Sequence, residues 1–512
     1  MQRRGKMIKK KSLLGSLGIL LVLLLAFSAT AKEPKSGGTL VWRVGAETAS
    51  MDPHLANTLG STQLLARVYS TVLRYDKDAN VVPHIAKSWT ISPDGLVYTF
   101  KLRDDVYFHN GRKLTAADIK YNIERMINPE TGSPRASRFN LVKTIETPDD
   151  FTVVFTLKDP FAPFLGNFAD PNAMIVPREI VEDESIKKKA VGSGPFMIKE
   201  MVPGDYVLLE KNPNYFLKGQ PYLDQLKLKL ITENSAIAAS MRSKTVDFTV
   251  VWGAMYKFFD KMKNINVVDV PVFAWAMLEF NSSKPPFDNP KLRLALAYAI
   301  DRQEIIDSVM LGNAKITAPV PEGMGAYSAD WKTLAGYQVD LEKARTLLKE
   351  AGYPDGLKFE LKTSTAYAPY VPTTQVIQSN LKKIGVEAEI IPLEWGAYIK
   401  DITNFDTWVA CFHSFPSYTA DPDAYLYRWF HSKGAWNIGF SDPVTDELLD
   451  LGRRVTHVPT RQMIYRRAQV RLAELAPAVY TWRTRVSYAM QPHVQGVTLT
   501  PATIYMDSAW LD

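Results

Sequence analysis

Apolar and polar positions alternate with a period of two through much of the first half of the chain. Thr39-Leu40-Val41-Trp42-Arg43-Val44 predicts a strand near the start. Val97-Tyr98-Thr99-Phe100-Lys101-Leu102 predicts a second after the turn Pro93-Asp94-Gly95, and Phe151-Thr152-Val153-Val154-Phe155-Thr156-Leu157 a third after Pro148-Asp149-Asp150. Between them, Thr115-Ala116-Ala117-Asp118 predicts a helix start, where a hydroxyl accepts from a free backbone N–H and a carboxylate favours the positive helix end. In the second half the period lengthens. Asn289-Pro290 opens a helix whose apolar residues Leu292, Ala295, Leu296, Ala299 and Ile300 recur every three or four positions. Asp340 caps a helix carrying Ala344, Leu347, Leu348 and Ala351, which Gly352 stops. A run from Val376 to Ile384 ends at Gly385 and leads into the strand Ala388-Glu389-Ile390-Ile391. Helices alternating with strands imply an open α/β sheet covered on both faces.

At 512 residues the chain is too long for one core and fits two or three domains. Apolar residues at 46% and charged residues at 22% exclude long disorder. The net charge of +7 would suggest a nucleic-acid partner, but residues 1–31 hold six basic side chains (Arg3, Arg4, Lys6, Lys9, Lys10, Lys11) and no acidic one. Removing them from the 61 basic residues leaves 55 against 54 acidic ones, so nucleic acid drops out. That basic stretch, the Leu-rich run Leu13 to Phe27 and the small residues Ala29-Thr30-Ala31 form a secretory signal peptide, with cleavage expected after Ala31. A membrane anchor is the weaker reading, because the run is interrupted by Gly15, Ser16 and Gly18 and a spanning helix needs about 20 apolar residues. No cysteine follows the run to accept a lipid. The sole cysteine, Cys411, lies in the apolar segment Trp408 to Phe412, as a buried, inert thiol would.

Three segments carry a family resemblance. The first runs from Ala86-Lys87-Ser88-Trp89 through Tyr98 to Arg103, then Phe108-His109-Asn110-Gly111 and Thr115 to Asp118. The second is Gly192-Ser193-Gly194-Pro195-Phe196 with Asn212-Pro213-Asn214-Tyr215-Phe216. The third is Phe280-Asn281, Pro285-Pro286-Phe287-Asp288, Arg293 and Ala299-Ile300-Asp301-Arg302. With Leu393-Glu394-Trp395 further on, the chain from about Gly38 onward resembles the family 5 extracellular solute-binding proteins, the dipeptide- and oligopeptide-binding components of ABC importers. The resemblance implies an α/β, two-lobed periplasmic-binding-protein fold of class II (type C), with an extra α+β domain inserted in lobe one. Residues 32–76, 186–275 and 487–512 would form lobe one, 77–185 the inserted domain, and 276–486 lobe two. It further implies a periplasmic, unlipidated monomer without a cofactor. Such a protein captures a peptide or other polar solute between closing lobes and delivers it to an inner-membrane permease with its ATPase subunits.

Ligand-binding candidates follow from aromatic density and charge. Residues 395–440 hold 13 aromatic side chains in 46 positions. Trp408, Tyr425 and Trp429 read as core, whereas Trp395, at a turn after a strand, and Tyr418, in the polar loop Ser417 to Asp423, read as cleft-facing. Trp252 and Trp275, near the expected hinge strands, are further candidates. Peptide binders of the family hold the ammonium with an aspartate before the Asp-Pro-Asp segment, a position occupied here by Tyr418. Dipeptide binders place an arginine where Thr365 stands. The expected ligand is therefore not a dipeptide held at both ends, and Asp421 or Asp423 is the remaining candidate for the ammonium, their alternative role being to cap the turn. A non-peptide solute, such as an oligosaccharide or a metal chelate, is the alternative. His413 and His431 lack metal-ligand spacing, so no metal site is expected. No zinc, nucleophile-elbow or phosphate-loop motif is present, and Ser185-Ile186-Lys187-Lys188 matches Ser-x-x-Lys without its partner segments. A secreted hydrolase with two facing carboxylates stays a minor alternative.

Overall fold

The computed structural model describes residues 33–512 except 57, 252–253 and 417–418. The expected signal peptide lies outside the described residues.

The expected elements form where local chemistry places them. Thr39–Val44 is a strand. Asp118 closes a capping box at the start of the helix Ala116–Ile127, its carboxylate accepting from the Thr115 N–H at 2.9 Å. Asn289 caps Pro290–Ala299 by accepting from the Lys291 N–H at 3.0 Å, and Asp340 caps Leu341–Glu350 by accepting from the Lys343 N–H at 2.9 Å. Gly352 takes φ +95°, the left-handed value that ends that helix. One helix begins earlier than its apolar period predicts, spanning Tyr370–Lys382. Pro372 sits in its first turn, where a missing N–H costs nothing.

Ten strands form one continuous path in the order Val386–Leu393, Leu357–Ser364, Ala410–Pro416, Ala274–Phe280, Ala478–Met490, Phe248–Val251, Thr39–Val44, Gln225–Leu230, Tyr206–Lys211 and Phe196–Val202. The 13-residue strand Ala478–Met490 belongs to both halves. Its beginning pairs with Ala274–Phe280, Glu279 opposite Ala478 and Ala276 opposite Trp482. Its end pairs with Phe248–Val251, Val251 opposite Ser487 and Phe248 opposite Met490. Directions then locate the cleft. Phe248–Val251, Thr39–Val44 and Gln225–Leu230 run against the long strand and end near the level of Ser487. Ala410–Pro416, Leu357–Ser364 and Val386–Leu393 run with it and end near the level of Ala274, just past Trp482. Two sets of strand carboxyl ends thus face each other across residues 483–486 of a shared strand. The fold is two-lobed, and each lobe presents the edge where open α/β sheets receive ligands.

Each half has its own core. Leu40, Trp42, Leu65, Val68, Leu226 and Phe248 are buried in one, and Leu278, Leu296, Leu361, Ile377, Leu381 and Phe412 in the other. A separate four-stranded antiparallel sheet, ordered Ala86–Ile91, Val97–Leu102, Thr152–Leu157, Val142–Asp149, carries the helix Ala116–Ile127 and an aromatic core of Tyr98, Phe100, Phe139, Phe155, Phe164 and Phe168.

Candidate functional site

Strand ends build the lobe-two edge. Thr365 follows Leu357–Ser364, and its N–H donates to the Leu393 carbonyl at 2.8 Å, tying two parallel strands together where they stop. Glu394 then caps the helix Trp395–Ile402, its Oε2 accepting from the N–H groups of Gly396 at 2.8 Å and Ala397 at 3.3 Å. This cap sets Trp395 at the first helical position, half-buried on the edge. Its indole stacks on Tyr398 at 5.9 Å and 28° and meets Tyr367 edge-on at 5.3 Å and 84°. Tyr367, 47% exposed, packs at 4.9 Å against Tyr370. The two inner tyrosines are fixed by their hydroxyls. Tyr370 OH bonds both backbone groups of Ser414, at 3.0 and 3.1 Å, and Tyr398 OH lies 2.7 Å from His413 Nδ1 and 3.2 Å from the Phe412 carbonyl. The result is a shelf in which two accessible aromatics rest on two immobilised ones. Sequence reasoning selected Trp395 and Thr365 and missed Tyr367, Tyr370 and Tyr398. The available signal was a pair of tyrosines three residues apart just beyond a strand end.

Beneath the shelf lie Glu279, Cys411 and His413, the one group of donor side chains among the described residues near enough to hold a metal ion, their ligand atoms within 4.8 Å of one another. All three are buried. Burial and the Glu279 carboxylate push the Cys411 thiol well above its ordinary pKa, which keeps it protonated and works against thiolate ligation. Glu279 Oε1 stands 3.3 Å from His413 Nε2, so the cluster braces Tyr398 from below.

The remaining candidates divide. The Asp421 carboxylate is gripped by both terminal nitrogens of Arg461 at 2.7 Å, and Oδ1 accepts from the Asp423 N–H at 2.9 Å. Asp423 pairs in turn with Arg453 at 2.7 Å. Both aspartates therefore hold the turn and the helix beyond it, and neither is a free anchor for an ammonium, contrary to the expectation for Asp421. Trp275 also departs from expectation. It is 1% exposed, its ring centroid lies 3.7 Å from that of Tyr425, and its indole N–H points at the Met277 sulfur, because its strand is covered on both faces. Trp408, Tyr425 and Trp429 are buried, as their pattern predicts. Trp252 and Tyr418 lie outside the described residues. Alongside the Asp421 turn, a cavity of about 780 Å³ opens towards the aromatic-cored domain, lined among others by Phe161, Asn167, Tyr427, Trp436 and Arg453.

Across the cleft, the lobe-one edge runs Val44-Gly45-Ala46-Glu47, exposed from Gly45 onward. Glu47 turns away to accept from the Gly204 N–H.

Comparison with known proteins gives the same picture along nearly the whole chain. The profile of the bacterial extracellular solute-binding proteins, family 5 (middle), matches residues 80–437. The glutathione-binding protein GsiB of Pectobacterium atrosepticum is 30% identical over 476 residues, covering 90% of this chain and 92% of the relative. The oligopeptide-binding protein AppA of Bacillus subtilis is 28% identical, covering 97% of each. Among solved structures, the periplasmic binding protein DppA of Helicobacter pylori in complex with the peptide STSA overlays with a TM-score of 0.73 at 28% identity, over 93% of this chain and 98% of that one.

Proposed function

The chain belongs to family 5 of the bacterial extracellular solute-binding proteins, and from that premise we propose that it captures a peptide or peptide-like solute between its two lobes and hands it, chemically intact, to an ABC permease. One observation carries this reading: two sets of strand carboxyl ends face each other over residues 483–486, one bearing the shelf of Trp395 and Tyr367. Relatives named for glutathione and oligopeptides support a peptide-like ligand. Closure would bury the solute against the aromatic faces, and the binding energy would hold the lobes together. The lobes are residues 32–76, 186–275 and 487–512 on one side and 276–486 on the other, with 77–185 inserted in the first. Thr365 offers no cation, and Asp421 is bound to Arg461. The solute is therefore something other than a dipeptide held at both ends, and the cavity beside the Asp421 turn gives a longer one room. The neutral face of Trp395 and Tyr367 favours a second reading, an oligosaccharide stacked on the same shelf. In either case the protein works in the periplasm as a monomer without a cofactor, exported by a signal peptide cleaved after Ala31 and left unlipidated, beside an inner-membrane permease and its ATPase subunits.

Native mass spectrometry of the purified protein, followed by calorimetry with glutathione and a pool of two- to nine-residue peptides, tests this. Saturable binding with the ligand recovered unchanged is expected. Submicromolar binding of ordinary dipeptides would overturn the exclusion of a doubly anchored dipeptide, and turnover would overturn the carrier reading itself.

A further inference from the structure

Lobe one contains a buried cation with no counter-charge among the described residues, at the point where its central strand reaches the cleft. Arg43 is 5% exposed. By alternation it shares a face with Val41, which packs on the cluster of Ile237, Met241 and Phe259. Two other buried arginines that make no ion pair are each satisfied by more than one backbone carbonyl. Arg302 reaches Tyr480 O and Gly336 O, each at 2.8 Å, and Arg293 reaches Leu475 O at 3.0 Å and Phe287 O at 2.5 Å. Arg43 makes one such bond, from Nε to Ile231 O at 2.6 Å. Among the described residues no carboxylate acts on it, and burial alone lowers its pKa. Its terminal nitrogens lie beneath Gly45, where a Cβ would stand 3.3 Å from Nη2 and 3.5 Å from Nη1. Gly45 is exposed and follows the strand's last residue. An uncapped guanidinium fork is therefore covered by a residue with no side chain. The helix Asn234–Arg242 begins beyond the neighbouring strand with no side chain capping it.

We propose that Arg43 is the anion anchor of the site, receiving a carboxylate of the solute on its Nη groups as the lobes close. The proposal rests on the reading of the cleft as a solute-binding site and adds the ligand's chemical class: an acid, held by its carboxylate on lobe one and by its flat or apolar part on lobe two. It also explains how the chain dispenses with an arginine at Thr365. A planar fork matches a carboxylate with two parallel bonds, which an amide cannot reproduce.

The test is calorimetric titration of the full mature chain with glutathione, tripeptides, their C-terminal amides, and non-peptide carboxylates, on the wild type, Arg43→Met, Arg43→Lys and Gly45→Val. Circular dichroism melts report folding. The wild type should bind acids about tenfold or more tightly than amides. Arg43→Met should abolish that preference, Arg43→Lys should retain part of it, and Gly45→Val should weaken acids alone by covering the fork. Gly45→Val leaves the Arg43 stem in place, so it decides the matter if Arg43→Met misfolds. If non-peptide carboxylates show the Arg43 dependence and peptides do not bind, the anchor stands and the peptide reading falls. If peptides bind with the same acid preference in every variant, the anchor is wrong and the peptide reading stands. If no carboxylated solute binds, or acids and amides bind alike, the anchor is overturned.

Discussion

The two facing edges of the cleft are built on opposite electrostatic plans. On lobe two most charges beside the shelf and the Asp421 turn are taken up within the lobe: Lys362 pairs with Asp401, Asp421 with Arg461 and Asp423 with Arg453, Glu394 caps its helix, and Arg428 lies over the Trp429 and Trp436 rings. What that edge offers is neutral aromatic surface, two rings braced by two hydrogen-bonded tyrosines. On lobe one the edge is glycine and alanine over a buried, unpaired arginine. A preformed ion pair on a ligand-facing edge must be broken to be used, whereas an aromatic face is ready at once. On the proposed function, the difference puts affinity and charge selection on different lobes, to be combined on closure.

The strongest way to break this comparison is through the Asp421–Arg461 pair. Arg461→Met should leave the largely covered Asp421 carboxylate without its partner and cost about 3 kcal/mol of stability in denaturant titration. If stability holds and solute affinity collapses instead, Asp421 serves the ligand and lobe two is not neutral. Next in size is Trp395→Ala. It should weaken solute binding by about tenfold to a hundredfold, read by calorimetry, with little change in melting temperature because the ring is only half-buried. An equal fall in stability would make the shelf a core feature.

A further effect separates the two sides by pH. Burial holds His54 and His109 down to about 4 and His84 down to about 3, so all three stay neutral in the folded chain. The unfolded chain takes up these protons near pH 6.5. Stability is therefore full above about 6.5 and falls as the pH drops towards 4. All three lie between residues 54 and 109, away from the lobe-two edge, so acid should loosen that side first. Melts between pH 7.5 and 4.5 should show the decline, with a shallower slope in His84→Gln; an unchanged slope contradicts the assignment. The smallest expected effect is Thr365→Val. The backbone N–H ties the strand ends, and the hydroxyl adds only a 3.3 Å bond to Leu393 O, so stability should change by less than about 0.5 kcal/mol. A tenfold loss of affinity would show instead that the hydroxyl meets the solute.

Much of the framework was legible in the sequence because its determinants are local. The Thr115/Asp118 box, the Asn289 and Asp340 caps, Gly352 and the alternation of Thr39–Val44 each act within a few residues. On the candidate shelf, the place of Trp395 just past a strand end was legible because a turn follows that strand. Trp275 and Asp421 were misread for one reason: their partners, Tyr425 and Arg461, are 150 and 40 positions away, and no local pattern reports them. Arg43 was hidden by its own regularity, since it looks like the polar member of an alternating strand until the fold buries it with no counter-charge among the described residues.

The most direct test is small-angle scattering of the mature chain, alone and saturated with whichever member of a glutathione and short-peptide pool native mass spectrometry finds bound. A smaller radius of gyration, with the ligand's mass unchanged on release, is the predicted result. Superimposable profiles at saturation, or a cleaved product, would contradict a hinged carrier.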